Sequence, residues 1–227
     1  MNNHCTLKEA ISPWLKTTFP DLKKHLDKGT ILNLKNGAIL ITPGEHSNDL
    51  YFVVSGSLKV SLVHYDGQEK IISIIGAGGL VYEGLISSVT ISSVLVTAME
   101  KCCVVKFSEE QLETILNQDK NAALDVVHYM HLRYKMLLAL HQGLLFCNPA
   151  QRLCRLFCVF SNTSAEQMDG KLSIHLELTQ KQLGELLGLS RVTVANILKD
   201  MRQNKIIEIK NKSYIFSEEI CSYCQNN

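Results

Sequence analysis

The chain has 227 residues, of which 46% are hydrophobic and 20% charged, with 13 Gly, 4 Pro and 8 Cys. That length and composition suit one large or two modest globular domains and exclude a disordered, fibrous or disulfide-stapled miniature protein. Lys and Arg number 23 against 22 Asp and Glu, a formal net charge of +1, which excludes a uniformly basic nucleic-acid binder but not a local basic patch. The uncharged runs Ile71–Tyr82 and Gly84–Met99 fall short of the about 18 apolar residues of a membrane span. The opening MNNHCTLKEAISPWLK has no basic region leading into an apolar one, as a secretion signal would. A cytoplasmic protein with no membrane partner is expected.

From about Thr30 to Phe107, short runs of alternating apolar and polar residues are punctuated by turn signals at Asn36-Gly37, Pro43-Gly44, Ser55-Gly56, Asp66-Gly67 and Gly76–Gly79. This pattern predicts antiparallel strands closed into a sandwich or roll. Asp66-Gly67, between LKVSLVHY and QEKIISII, predicts a hairpin with a two-residue primed turn. At Ser108 the period changes. Ser108-Glu109-Glu110-Gln111 reads as an N-cap with an acidic first turn, and Asn117 to Leu145 contains no Pro and only the late Gly143. A long helix follows. Its apolar positions Leu124, Val127, Met130, Tyr134, Leu137, Leu138 and Leu145, with His141, recur near the spacing of a helix seam, so a homodimer is expected to cover them. Packing of the same stripe on the roll is the alternative.

Asn148-Pro149 ends that helix and starts another, because Pro suits the first helical position and disfavours helix in the residue before it. A Gly-containing hairpin around MDGKLSIHLEL, two short helices and the pair KIIEIKNKSYIF follow, the order of a winged helix-turn-helix. Within it Thr179 caps a first helix, Gly188 permits a left-handed turn, and Ser190 caps a second helix running to about Met201. Leu183, Leu186 and Leu187 face Val194, Ile197 and Leu198 to lock the pair. The remaining face offers Arg191, Val192, Thr193, Asn196 and Lys199. Those are the residue types a major-groove reader uses: Arg for guanine or phosphate, Asn for adenine, methyl groups for thymine. Residues 179–212 carry seven basic side chains against three acidic ones, a candidate phosphate-binding face. Thr179, Gln180, Ser190 and Lys212 complete the expected DNA-binding set.

These motifs, with Gly37, Pro43-Gly44-Glu45, LYFVVSGSLKV (Leu50–Val60), Gly78-Gly79 with Glu83-Gly84, and FSEEQL, resemble in order and spacing the Crp/Fnr family of bacterial transcription regulators. The resemblance covers essentially the whole chain. It implies an α+β protein with a β-roll effector-sensing domain at 1–110, a dimerisation helix at 111–147 and a winged helix-turn-helix at 148–227. It also implies a palindromic DNA site, a small-molecule effector, and RNA polymerase as a partner if the protein activates. Where cyclic-AMP receptors clamp the cyclic phosphate with Arg-Ser, this chain has Ser92-Ser93, and where their long helix offers Thr-Ser to adenine it has Leu137-Leu138. A buried phosphate without its Arg is costly, so a cyclic nucleotide is not the expected effector.

The expected effector pocket is Tyr82, Glu83, Ser92 and Ser93 with Arg133 and Tyr134 of the long helix, a set suited to an aromatic anion. A solvated Arg133 on the helix surface is the alternative. Asn148-Pro149-x-x-Arg152, Val192-Thr193-Val194 and the position of Arg133 are similar to the branch of the family that controls reductive dehalogenation, whose members sense chlorinated aryl acids and read an A/T-rich box.

A redox or gas sensor on the same scaffold stays open through Cys221 and Cys224, a CxxC pair near the C-terminus. One N-terminal cysteine, Cys5, cannot supply the four thiolates of an iron–sulfur cluster, and Cys154 and Cys158 read as small buried hydrophobes. His128 and His131 at i, i+3 could share a metal ion, but no acidic ligand stands at suitable spacing. Neither cofactor nor metal is expected. The rival from another class is a jelly-roll enzyme of the cupin type, yet His46 and His64 are isolated and no nucleophile, base or phosphate-loop motif is present, so no catalysis is expected.

Overall fold

The alternation of apolar residues between Thr30 and Phe107 buries one face of each strand and draws two sheets together. In the computed structural model, which describes residues 14–15, 19–46, 48–83, 91–163, 165–168, 171–176, 178–210, 213–216 and 220, nine strands are described before Ser108. They are β1 (Trp14–Leu15), β2 (Thr30–Leu34), β3 (Ile39–Ile41), β4 (Leu50–Ser55), β5 (Leu58–Val63), β6 (Glu69–Ile75), β7 (Leu80–Tyr82), β8 (Leu95–Ala98) and β9 (Cys102–Phe107). One sheet runs β1-β6-β5-β8-β3 and the other β2-β9-β4-β7. Between them lies a core that includes Ile41, Val53, Leu58, Val60, Val96 and Val104, each at most 3% exposed. The expected β-roll is present.

The β5–β6 hairpin differs from its prediction in one detail. His64 N–H donates to Gln68 O and Gly67 N–H to His64 O, both at 2.9 Å, so Tyr65, Asp66 and Gly67 form a three-residue loop. Only Gly67 among them has positive φ, at 84°; a primed two-residue turn requires the left-handed region at both central residues. Asp66 Oδ1 accepts from Gln68 N–H at 2.9 Å and fixes the longer loop.

After β9, Ser108 and Gln111 form a reciprocal capping box that starts α2 (Glu109–Gln118). The long helix then begins at Lys120 rather than near Asn117: α3 spans Lys120–Phe146. Asp119 takes an extended conformation, φ −126° and ψ 98°, and its Oδ1 accepts from Asn121 N–H at 2.9 Å and Ala122 N–H at 3.3 Å. Its other oxygen meets His25 Nε2 at 2.9 Å. An Asp that serves as a cap and binds a distant His stays outside the helix.

The two faces of α3 differ. Ala122, Val126 and Tyr129 are buried, whereas Leu124, Val127, Met130, Tyr134, Leu137, Leu138 and Leu145 are each at least 44% exposed. The expected seam is therefore uncovered in the single chain. A short helix α1 (Pro20–Lys23) is tied to α3 by Asp125, whose Oδ2 accepts from the N–H groups of Asp21 and Leu22, both at 2.9 Å.

The described residues up to Tyr134 form one compact unit and those from Lys135 onward a second. The second holds α4 (Pro149–Thr163), β10 (Glu166–Met168), β11 (Lys171–His175), α5 (Gln180–Leu187), α6 (Arg191–Gln203), β12 (Ile207–Lys210) and β13 (Ser213–Phe216). Its strands form an antiparallel sheet in the order β10-β11-β13-β12. Phe157 of α4 packs on Tyr214 and Phe216 with ring centroids 5.1 and 5.6 Å apart. Pro149 opens α4 as expected, with Asn148 and Gln151 exchanging backbone-to-side-chain hydrogen bonds of 3.0 and 2.9 Å.

Asp125 is the side-chain acceptor for two amides of α1, one belonging to fully buried Leu22. Asp125→Ala is expected to cost about 1–3 kcal/mol, seen as a melting temperature several degrees below wild type, with Asp125→Asn losing less. An unchanged melting temperature for Asp125→Ala would show that the tie contributes nothing.

Candidate nucleic-acid interface and effector site

The helix-turn-helix is assembled by local side-chain chemistry. Thr179 is extended, its Oγ1 accepts from Gln182 N–H at 3.2 Å, and Gln182 Oε1 accepts from Thr179 N–H at 2.9 Å. This starts α5. Gly188 ends it at φ 66°, ψ 34°, and Leu189 N–H donates to Gly184 O at 2.8 Å. Ser190 then caps α6 by accepting from Thr193 N–H at 3.0 Å. Gly184 is as necessary as Gly188, because a Cβ there would lie 2.7 Å from Leu189 O. The chain returns across α5 so closely that only a hydrogen fits.

Burial follows the expected division of the two helices. Leu183, Leu186 and Leu187 of α5 and Val194, Leu198 and Met201 of α6 are buried, with Ile197 half-buried. On the opposite side Arg191, Asn196 and Lys199 are exposed, Val192 is 67% exposed, and Thr193 is half-buried because its hydroxyl meets Ser190 Oγ at 2.8 Å. Thr179, Gln180 and Ser190 are exposed at the two helix starts. Lys212 lies outside the described residues. Arg152 is a positioning residue that spacing alone did not reveal: it donates from Nε to Cys147 O at 3.2 Å and from Nη1 to Leu187 O at 3.0 Å. It thereby joins the end of α3 to the end of α5.

On the roll side, Arg133 is neither solvated nor vacant. Its Nη1 donates to Tyr82 O at 2.8 Å and stands 2.6 Å from Glu83 Oε1. The Arg133 and Glu83 side chains are only 15% and 12% exposed. The guanidinium also lies over the Tyr129 ring, 5.7 Å from its centroid. Burial works against the Arg133 charge, but the facing Tyr129 and Glu83 hold its pKa above the ordinary value. Burial pushes the Tyr129 and Tyr82 hydroxyls up, the latter helped by Glu109. Tyr129 hydroxyl accepts from Tyr82 N–H at 3.3 Å. The buried Tyr82 hydroxyl has no hydrogen-bond partner among the described residues.

The structure thus brings together Tyr82, Glu83 and Arg133, and adds Tyr129, one helical turn before Arg133. Tyr129 lies on the buried row of α3, on the opposite side from the exposed apolar seam. Ser92 is buried, but its hydroxyl is committed to Val94, donating to O and accepting from N–H, both at 3.1 Å. Ser93 is exposed, and Tyr134 is 60% exposed rather than beside Arg133. Cys154 and Cys158 are buried, while Cys5, Cys221 and Cys224 lie outside the described residues. Among the described residues no group of three or more His, Cys, Asp or Glu side chains is placed to hold a metal ion.

Comparison with known proteins divides the chain in the same way. The cyclic nucleotide-binding domain family matches residues 31–119, and the Crp-like helix-turn-helix domain family matches residues 151–218. The chain belongs to the Crp/Fnr family. The cAMP-activated global transcriptional regulator CRP of Salmonella typhimurium is 24% identical over 199 residues, covering 87% of this chain and 94% of that one. The Haemophilus influenzae CRP is 24% identical over 211 residues, 92% of this chain and 89% of its own. Among solved structures, a CooA mutant from Carboxydothermus hydrogenoformans aligns with a TM-score of 0.81 at 21% identity, covering 92% of this chain and 96% of that one. CprK complexed with OCPA aligns with a TM-score of 0.73 at 25% identity, covering 94% and 98%.

This Crp/Fnr protein is therefore a transcription regulator with a ligand-binding domain, and regulators of this type are DNA-binding rather than enzymatic. No helix among the described residues is long and apolar enough to cross a membrane. The interface depends on the close approach at Gly184. Gly184→Ala must push Leu189 and Ser190 away, an overpacking of about 1–3 kcal/mol, and specific DNA affinity should fall at least about tenfold, the 1.4 kcal/mol equivalent. Retained affinity, measured by fluorescence anisotropy on an operator fragment, would refute that constraint.

Proposed function

We propose that the chain works as a homodimeric, effector-gated regulator in the cytoplasm, with a sensor at 1–110, a dimer helix at 111–147 and a DNA-binding domain at 148–227. The observation that carries the DNA reading is the exposed row Arg191, Val192, Asn196 and Lys199, for which no carboxylate partner exists among the described residues. Thr179, Gln180, Ser190 and Thr193 border that row, and Lys199 and Lys212 suit backbone phosphates. The exposed seam of α3 favours the dimer, since a row of large apolar side chains this long is costly to leave in water. Two recognition helices related by a two-fold axis require inverted half-sites about one helical turn apart. Val192 offers only methyl contact, which favours thymine and hence A/T-rich half-sites. RNA polymerase is the further partner wherever the protein activates.

For the effector, an aromatic anion fits better than a cyclic nucleotide. No arginine accompanies Ser92 and Ser93, the Ser92 hydroxyl is already bonded, and Leu137 and Leu138 offer adenine no hydrogen bonds. Arg133 remains, its guanidinium over the Tyr129 ring and its Nη1 on the Tyr82 carbonyl. Because Glu83 already occupies Arg133, an incoming carboxylate or phenolate binds by exchange, taking the place of Glu83 on the guanidinium. That exchange changes what α3 is bonded to, and α3 carries the dimer seam. CprK, 25% identical, has been solved in complex with OCPA, and another CprK structure is a complex with o-chlorophenolacetic acid. To turn a 1:99 mixture of states into 99:1, such a ligand must prefer one state by about 5.5 kcal/mol, which a desolvated ion pair with ring burial at two symmetric sites can supply.

In DNA-binding titrations, Arg191→Ala should cost about 1–3 kcal/mol on the cognate site and much less on random DNA, whereas Lys212→Ala should weaken all sequences alike. Selection from random DNA should return A/T-rich inverted repeats, and a G/C-rich or asymmetric site would overturn the assignment of Val192. Separately, titrations with aryl acids, cyclic nucleotides or an oxidant should respond to the aryl acids in wild type, less in Arg133→Lys and not at all in Arg133→Leu. Glu83→Gln removes the competing carboxylate and should tighten aryl-acid binding. A wild-type response in Arg133→Leu defeats the exchange reading, and a response to oxidant alone points to Cys221 and Cys224 instead.

A further inference from the structure

A cleft of about 310 Å³ lies at the far end of the recognition helix. Lys171, Arg202 and Lys205 surround it, over a floor formed by Ile206, Ile207 and Ile215. The one carboxylate at its rim, Glu208, is bonded to Lys210 at 2.6 Å, which with the weaker field of Lys171 holds it below the usual carboxylate range. The three cations themselves have no carboxylate partner among the described residues. They come from three separate positions in the fold: the start of β11, the last turn of α6 and the loop after it. All three are exposed cationic side chains lining one cleft, and an anion held there meets a positive field from each of them.

A second local feature points to the same cleft. Lys205 is the only non-glycine among the described residues with positive φ, 58°. It follows the cap residue Asn204 and closes α6 with Lys205 N–H donating to Arg202 O at 3.1 Å and Ile206 N–H to Met201 O at 2.9 Å. That paired pattern normally takes Gly at the left-handed position. Here a lysine occupies it, against backbone preference, and brings its charge to the cleft. A left-handed lysine beside two further cations that have no ion pair among the described residues is the observation from which a binding role is argued.

The cleft is remote from the DNA-reading surface. Arg202 is about 16 Å along the helix from Arg191 at 1.5 Å per residue. On the sheet it sits where Ile207 pairs with Phe216, the opposite end of the β12–β13 ladder from Lys210 and Ser213. We propose that Lys171, Arg202 and Lys205 form a binding site for a small dianion of the phosphate-monoester class, carried on the DNA-binding domain and distinct from the Arg133 site. Two lysines and the planar fork of an arginine match the charge and three terminal oxygens of such a group. The volume, at the low end of ligand pockets, leaves room for only a small organic part on the isoleucine floor.

The test uses the full chain with inorganic phosphate, pyrophosphate and a nucleoside monophosphate at constant low ionic strength, followed by calorimetry and by the amide resonances of residues 171, 202 and 205. Wild type should bind, with shifts confined to the cleft. Lys205→Gly is the decisive variant, because it removes the cation while relieving the backbone. It should melt several degrees higher than wild type without ligand and yet bind phosphate at least tenfold more weakly. Arg191→Ala should bind phosphate as wild type does, which separates this site from the DNA-reading face. Equal phosphate affinity in Lys205→Gly and wild type would overturn the proposal. So would loss of the phosphate response in Arg191→Ala, or a Lys205→Gly variant whose defect is a uniform loss of DNA affinity with no phosphate binding in wild type, which would assign the cations to the DNA backbone.

Discussion

Helix α3 carries more apolar surface than one chain covers. Its inner row, Ala122, Val126 and Tyr129, is buried, while the outer row from Leu124 to Leu145 stands in water. A 27-residue helix rises about 40 Å, and surface helices of globular proteins ordinarily have one apolar stripe, not two. Two stripes mean two partners. The inner one is the roll of the same chain, held further by Asp125 on the amides of α1 and by the Asp119 break that sets where the helix begins. The outer one is the reason a second copy of the chain is central to the functional reading.

Arg133 is the charged member of the inner row, and its circumstances set the chemistry available to an effector. A guanidinium at this depth must be paired, and Glu83 with the Tyr82 carbonyl pairs it. On the proposed reading, an effector at Arg133 competes with an internal carboxylate. Competition lowers apparent affinity, but it ties binding to a rearrangement of the β7 end relative to its helix neighbour. A ligand that simply added itself to the pocket would lack that differential contact, and a ligand shifts an equilibrium only by the difference in its affinity for the two states.

The helix-turn-helix depends on distances between backbones rather than on bulk packing. Gly184 and Gly188 allow the return of the chain, and Thr179 and Ser190 satisfy the amides at each helix start. Arg152 adds a tie from the α3–α4 junction to Leu187 O. The resulting element presents Arg191, Val192, Asn196 and Lys199 on a frame in which each turn has its own hydrogen bond. Lys205 departs from this economy, since a glycine would close α6 with less strain.

The features that local chemistry controls were legible in the sequence itself. Caps act over three residues, so Thr179, Gly188, Ser190, Ser108 and Pro149 announce their helices without knowledge of anything distant, and strand alternation announces the roll. The buried and exposed faces of α5 and α6 follow from the same short-range periodicity. Contacts between residues far apart in the chain had to await the fold: Arg133 with Glu83, fifty positions away, the His25–Asp119 pair that stops the long helix short, and the Ser92 hydroxyl committed to Val94 rather than to a ligand. Tyr134 and Tyr129 illustrate the difference most sharply. Both are aromatic and stand near Arg133 in sequence, but helical rotation turns one outward and buries the other against Phe19 and the Tyr82 amide. The sequence by itself determined which segments fold and which helix can read DNA, because those depend on neighbours in the chain. Only the tertiary structure decided which charges are already neutralised and which remain open, because a charge is satisfied by whatever the fold brings within about 4 Å of it.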